Sequence, residues 1–390
     1  MTNSSDRRAS LIDELRSRVP EREPQAALER QRSGALLIDV REDHERAAGS
    51  PLEALGVSRS VLELRIASLV PDLGREILTL CGSGQRSLLA ADALLRMGYH
   101  NVASVRGGFA EWKMQGFPFS ASEALDADAA DRYSRHVLLP ELGIAGQARL
   151  SDARVTLVGA GGLGSPAALY LAAAGIGHLR LIDDDRVERS NLQRQIVHAD
   201  ARVGLFKTES ARIGLQALNP RIQIEMHSTR LRAENVEALL RDSDVVIDGA
   251  DNFPTRYLIN AACRNLRLPW VYGAVHRFTG QVAVFDPRNI ASPCYRCLFP
   301  HPPSAADAPN CAEAGVLGVL PGVIGVLQAT EAIKLVLGLG QALVGRLLCY
   351  DALAGQFREL RLGRDPQCPG CAEQVGSVAY ADIAAICAAP

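Results

Sequence analysis

Between Arg154 and Arg194 a short apolar strand runs directly into Gly159, Gly161, Gly162 and Gly164, and an Ala/Leu-rich helix follows at once. A strand that turns into a helix through glycines belongs in a parallel α/β sheet, with the turn at the ligand edge. The glycines let the backbone approach a phosphate closely, and the helix N-terminus supplies free N–H groups and a positive dipole end. A second strand, LRLID, ends at Asp183, about where a ribose hydroxyl needs an acidic partner. Alone, this pattern describes a mononucleotide site of unspecified chemistry. Asn191, Gln193 and Arg194 come next, polar and basic where a nicotinamide enzyme has no need of them. An arginine there suits a nucleotide with more phosphate than a bridging pyrophosphate, which points to ATP.

At 390 residues and 47% hydrophobic content, the chain can build two or three domains with real cores. Its net charge of −2 is spread over mixed basic and acidic residues, so no basic stripe argues for nucleic acid. The N-terminal MTNSSDRRASLIDELRSR lacks an apolar core of the signal-peptide kind, which sets a cytoplasmic expectation. The longest uncharged run, Ala314 to Thr330, is short for a membrane span, holds Pro321 and meets Glu331 and Lys334 directly. It reads as a buried or interface helix, and no membrane partner is expected. Nine cysteines in such a chain read as metal ligands, nucleophiles or core residues rather than disulfides.

Small polar residues from Ser120 to Asp131 mark the best boundary. The expected division is a small α/β domain over 1–119, a linker over 120–131 and a larger domain over 132–390. Before the boundary, ALLIDV, LLAADALLRMG and NVASVRGG alternate strand and helix, as a small parallel sheet requires. After it, strands are expected at Val155–Val158, Leu179–Ile182, Gln223–Glu225, Val245–Asp248, Val271–Tyr272 and Val282–Phe285. QVAVFD, RLLCYD and QFRELRL then turn antiparallel. The fold class is therefore α/β, a small α/β domain followed by a Rossmann-like doubly wound sheet with an antiparallel extension.

Cys81-Gly-Ser-Gly-Gln-Arg-Ser87 follows the strand EILTL and precedes a helix. A cysteine on such a turn sits among converging N–H groups at a positive dipole end, which favours an anion on sulfur, and Arg86 adds positive charge. The bland alternative is a buried strand-end cysteine before an ordinary turn. With LIDVRE at Leu37 to Glu42 and GGFAEWKMQGFPF at Gly107 to Phe119, this region resembles the rhodanese sulfurtransferase domain over about residues 9–119. The resemblance implies a persulfide carried on Cys81, filled by a donor such as a cysteine desulfurase.

Cys294-Tyr-Arg-Cys297 and Cys368-Pro-Gly-Cys371 are two CxxC pairs. Four thiolates close the tetrahedral sphere of a zinc ion, so a structural four-cysteine zinc site is expected, with redox CxxC pairs as the alternative. Lys207 is a second cation suited to phosphates. Asp248 and Asp251 end a hydrophobic strand at the carboxyl edge, where a carboxylate can hold Mg²⁺ against phosphate oxygens. Singly, each of these polar residues would ordinarily be a solvated surface position. Cys311 lies in SAADAPNCAEAG, while Cys263, Cys349 and Cys387 have no motif around them.

RYSRH (Arg132 to His136), GAGGLGS, LIDDD, NLQRQ, GLFKTESA, DGADN, both CxxC pairs and CAEAGVLG are all present. They resemble the ThiF/MoeB type of ubiquitin-activating-enzyme-like adenylyltransferase over about Asp131 to Glu373. That resemblance implies ATP- and Mg²⁺-dependent adenylation of a small ubiquitin-like sulfur carrier ending in Gly-Gly. It places Asp183 on ribose, Arg194 and Lys207 on phosphates and Asp251 on magnesium. Arg135 would reach the partner subunit's nucleotide site in a homodimer. Cys311 would be a second thiol used by some members, forming a thioester or resolving an acyl disulfide. The sulfurtransferase here precedes the adenylating region, the reverse of the usual order.

The expected product is a carrier thiocarboxylate for molybdopterin, with thiamine or tRNA thiolation as alternatives. Two readings of other classes are an NAD-dependent oxidoreductase using the same glycines and a non-enzymatic scaffold that docks a carrier. Arg194 and Lys207 speak against the first, and Asp251 and Arg194 against the second.

Overall fold

The computed structural model describes residues 4–42, 45–46, 49–120, 125–302 and 315–381, apart from the side chains of 4–9 and 120. Its backbone forms two compact units, Met1–Ala148 and Arg149–Pro390.

The first unit holds β1 (Glu21–Arg22), β2 (Leu36–Asp39), β3 (Ser50–Pro51), β4 (Leu55–Gly56), β5 (Ile77–Leu80), β6 (Val102–Val105) and β7 (Phe119–Ser120). Five of these strands form a parallel sheet in the order β1-β6-β5-β2-β4, and β3 pairs antiparallel with β7. Every residue of ILTL in β5 and VASV in β6 is buried, as strands covered on both faces must be. Leu37, Leu78, Val105 and Trp112 form a core on one side, and Ile38, Ile66, Leu88 and Leu94 on the other. Part of the expected linker is helical: Ala127–Arg132 coils behind Asp126, whose carboxylate accepts the Ala129 N–H at 2.9 Å. An acidic cap ahead of alanines favours a helix even without an apolar stripe.

The second unit carries β8 (Arg154–Val158), β9 (His178–Ile182), β10 (Gln223–His227), β11 (Val245–Asp248), β12 (Trp270–His276), β13 (Thr279–Phe285), β14 (Arg346–Asp351) and β15 (Gln356–Arg361). Their order is β10-β9-β8-β11-β12-β13-β14-β15, parallel through β12 and antiparallel from there to β15. The expected doubly wound sheet and its antiparallel extension are both present. From β8 the chain winds outward to β9 and β10, then returns to β11 on the other side, so a topological switch opens between β8 and β11.

The uncharged run forms a helix only from Leu320, extending to Leu337, with Pro321 in its first turn where a missing N–H costs nothing. This helix is long and apolar enough to cross a membrane, and half of it is buried against β12, β13 and the helix Gly164–Ala174. Its glycines explain the close packing. A Cβ added at Gly325 would lie 2.4 Å from the Leu163 carbonyl oxygen.

Candidate functional site

A cavity of about 670 Å³ opens at the carboxyl ends of β8, β9 and β11, lined by Val158, Ile182 and Gly249 beside the glycine turn. Gly159 has φ +98°, and a Cβ there would sit 2.6 Å from the Gly249 oxygen, so two strand ends meet through bare backbone. Gly164 opens the following helix, and its Cβ would lie 1.9 Å from the Gly159 oxygen. These two glycines are required by the fold. At Gly161 a Cβ would meet nothing closer than 3.7 Å, so the room there belongs to the cavity. Gly162 lies beneath Arg194 and Pro321, with Arg194 Cδ 3.6 Å from its would-be Cβ.

Asp183, Arg194, Lys207 and Asp251 all line this cavity. Asp183 Oδ2 accepts the Ala160 N–H at 2.8 Å and Oδ1 the Asp185 N–H at 2.9 Å. Its pKa is raised, chiefly by burial, against the pull of Lys207. Lys207 is buried, with Nζ 2.7 Å from Asp185 Oδ2. Asp251 is exposed and takes only a 3.3 Å contact from Asn252 Nδ2 among the described residues. Carboxylate oxygens of Asp183, Asp184 and Asp185 lie within 4.8 Å of one another. Both sets are hard oxygen donors of the kind Mg²⁺ takes, usually alongside substrate phosphates.

Two sequence expectations need correction. Asn191 does not line the cavity. Its Oδ1 accepts the Glu188 N–H at 3.1 Å and caps the short helical turn Arg189–Asn191. Asp248 is fully buried and held by Arg256, whose Nε donates to Oδ2 at 3.0 Å, so it is not free for a metal. Burial pushes the Asp248 carboxyl up to about 6, while Arg256 pulls it back part-way.

Sequence reasoning missed Arg256, Gln195, His198 and Gln328. The Arg256 guanidinium also donates to the Ala250 and Gly273 oxygens at 2.8 and 3.1 Å, tying β11 to β12. Gln328 Nε2 bridges the Asp248 and Val271 oxygens at 2.7 and 3.1 Å. Gln195 lines the cavity, and its buried Oε1 has no partner among the described residues. His198 Nε2 lies 3.0 Å from the Ala160 oxygen. Arg256 ends the stretch DGADNFPTR and Gln195 ends NLQRQ, so two of them lay beside motif residues, while His198 and Gln328 left no local trace.

Arg135 sits exposed on the short helix Ser134–Val137 in the first unit. Cys311 lies outside the described residues.

In the first unit, Cys81 ends the β5 strand and is buried, with its Sγ accepting the Gly84 N–H at 3.2 Å. Gly84, at φ +90°, starts the helix Gln85–Arg96. The helix Gly108–Met114 closes the loop from the other side, Phe109 N–H donating to the Cys81 oxygen at 2.7 Å. Arg86 does not offer a free charge: Glu45 grips it through two 2.6 Å bonds. The Arg86 guanidinium holds the Glu45 carboxyl down at about 2.

The four paired cysteines converge. Cys294 Sγ is 3.6 Å from Cys368 Sγ, and Cys297 Sγ is 3.4 Å from Cys371 Sγ, so each pair is in contact with the other. A zinc ion bonded to four sulfurs at about 2.3 Å sets their separation near 3.8 Å. Gly370 N–H points at Cys368 Sγ at 3.3 Å and Asp365 N–H at Cys297 Sγ at 3.4 Å, as suits thiolates. The residues fit a structural zinc.

Residues 133–370, more than half of the chain, match the ThiF family. The chain belongs to the ThiF family. Residues 23–115 match the Rhodanese-like domain. The family removes the nicotinamide oxidoreductase reading. Among curated relatives, the SAMP-activating enzyme E1 of Haloferax volcanii is 51% identical over 266 residues, 68% of this chain and 97% of that protein. The sulfur carrier protein adenylyltransferase of Thermus thermophilus is 49% identical over 260 residues, 66% of this chain and 96% of that one. The adenylyltransferase and sulfurtransferase MOCS3 of Drosophila yakuba is 49% identical over 251 residues, 64% of this chain, which spans 55% of that relative. Escherichia coli MccB, crystallised with ATP, shares the fold at a TM-score of 0.54 and 23% identity, over 67% of this chain and 79% of that one.

Proposed function

We propose that this protein adenylates the C-terminal glycine of a small ubiquitin-like sulfur carrier and then converts that carboxylate to a thiocarboxylate. The observation that carries the reading is the union, in one chain, of a ThiF-family nucleotide cavity with a rhodanese-like thiol loop. The relatives named as sulfur carrier protein adenylyltransferase and as adenylyltransferase and sulfurtransferase support it.

ATP is a substrate here. The glycine turn admits its phosphates against backbone N–H groups and the helix dipole. Arg194 and Lys207 offset phosphate charge, and Asp183 takes the ribose. Asp251 would hold Mg²⁺, with the aspartates at 184 and 185 close by. When bound, the ion neutralises charge on the phosphate oxygens. The carrier carboxylate oxygen attacks the α-phosphorus, the bond to pyrophosphate breaks, and an acyl-adenylate forms.

Cys81 carries a persulfide supplied by a donor such as a cysteine desulfurase. Its terminal sulfur attacks the acyl carbon and expels AMP, leaving an acyl disulfide on Cys81. Attack by a second thiol on the Cys81 sulfur releases the thiocarboxylate and leaves a disulfide for an external thiol reductant. Cys311 is the candidate second thiol within the chain. The protein acts as a homodimer with Arg135 entering the partner's site, and molybdopterin assembly is the consuming pathway.

The test is mass spectrometry of each candidate carrier after incubation with the protein, ATP, Mg²⁺ and a persulfide donor. The reading expects one carrier to gain a sulfur in place of an oxygen at its C-terminus. No such product with any carrier would overturn it.

A further inference from the structure

Two aromatic rings line the nucleotide cavity without a part in the proposed reaction, Tyr272 on β12 and Phe299. Both pack against Tyr295, with ring centroids 5.6 and 5.0 Å from its own. Tyr295 is the second residue of Cys294-Tyr-Arg-Cys297, so it stands between two of the four converging cysteines. A single side chain therefore joins the metal-ligating motif to the cavity wall.

Tyr295 is 0% exposed, and its ring also meets Tyr257, Trp270 and Phe285 at 5.2, 5.4 and 6.2 Å. The backbone repeats the link. Phe299 N–H donates to the Tyr295 oxygen at 2.8 Å, and the Tyr257 hydroxyl donates to the Phe299 oxygen at 2.7 Å. The Tyr295 hydroxyl has no partner among the described residues, so what this residue contributes is its ring. Close-packed rings leave no slack to absorb a shift, so a displaced Tyr295 must move Tyr272 and Phe299. The helix Tyr295–Leu298 is only four residues long, too short to hold itself by its own hydrogen bonds. Metal bonds at Cys294 and Cys297 would fix it from both sides of Tyr295.

We propose that Tyr295 is a positioning residue that couples the four-cysteine centre to the nucleotide cavity. Fixing the cysteines sets the Tyr295 ring and, through it, the Tyr272 and Phe299 wall. A ligand against that wall in turn keeps the cysteines on their metal, because coupling between two sites is reciprocal. The inference rests on the adenylation reading for the choice of ligand.

The test uses full-length protein and glycyl-sulfamoyl-adenosine, a non-hydrolysable mimic of an acyl-adenylate, whose binding is measured separately by calorimetry. With Co²⁺ loaded in place of zinc, saturating mimic should alter the visible absorption of the tetrahedral thiolate site. With zinc loaded, the mimic should slow metal loss to excess chelator by about fivefold or more. Tyr295→Phe keeps the ring and should keep both effects. Tyr295→Leu should still load metal and lose both. If Tyr295→Leu does not fold, the cobalt spectrum of the unaltered protein decides, since a ligand that only stabilises the whole fold leaves the native spectrum unchanged. An unchanged cobalt spectrum with the mimic bound, or both effects surviving in a folded Tyr295→Leu, would overturn the proposal. Failure of the mimic to bind would strike the adenylation reading instead, and this inference with it.

Discussion

His198 Nε2 stands 3.0 Å from the carbonyl oxygen of Ala160, inside the glycine turn, while its Nδ1 faces Ser210 Oγ at 2.9 Å. A carbonyl only accepts, so Nε2 carries a proton; with burial favouring the neutral ring, Nδ1 is then the acceptor for the Ser210 hydroxyl. The same Ala160 peptide gives its N–H to Asp183. The turn is thereby held from both sides, and a charged His198 would be buried without a carboxylate partner among the described residues.

Burial lowers the His198 pKa from 6.5 to about 4. A group whose folded pKa is depressed stabilises the fold above its unfolded value, and that stability is lost as pH falls toward the folded value. The window is pH 6.5 down to about 4, and the amount is about 3 kcal/mol. His198→Gln, which can still donate to Ala160, should lose less melting temperature between pH 7 and about pH 4.5 than the unaltered protein. Equal losses in both would remove His198 from the acid response.

Arg256 is 7% exposed and Asp248 fully buried. Removing the guanidinium leaves an uncompensated buried carboxyl under the nucleotide cavity, at a cost of about 3–5 kcal/mol. Arg256→Ala should therefore lower the denaturation midpoint sharply. Asp248→Asn/Arg256→Leu, which removes both charges, should recover much of that loss. Chemical denaturation of the three proteins decides the matter, and a mild Arg256→Ala effect would contradict it.

Four converging thiolates predict about one zinc per chain by metal analysis. Replacing Cys368 with serine should release that zinc and lower stability, because a structural metal contributes its binding free energy to folding. A metal-free protein that is fully stable would contradict the assignment.

Cys81 lies in the rhodanese-like unit and Asp251 at the nucleotide cavity, so their roles should separate. Cys81→Ala should leave pyrophosphate exchange unchanged and abolish transfer of persulfide sulfur. Loss of exchange in Cys81→Ala would contradict this division.

The parallel strands and their antiparallel extension were legible because β-branched runs broken by glycine turns leave a strong periodic signal. The cavity-lining residues near the glycine turn were legible for the same reason, since motif spacing follows the strand ends. Asn191 was misplaced because a cap and a ligand contact look alike in sequence. Asp248 looked like a second metal ligand until Arg256, eight positions further along, was seen to reach it. His198 and Gln328 act through tertiary contacts that no local pattern encodes, and Gln195 stood at the end of NLQRQ without a signal of its own. Ala127–Arg132 was read as linker because small residues carry no apolar stripe, yet alanines behind an aspartate cap make a helix.

The most direct measurement of the central claim is exchange of labelled pyrophosphate into ATP. Exchange should appear only when a carrier with a free C-terminal glycine is present, and Asp251→Ala should abolish it. Exchange that proceeds without any carrier, or that is undiminished in Asp251→Ala, would contradict the account.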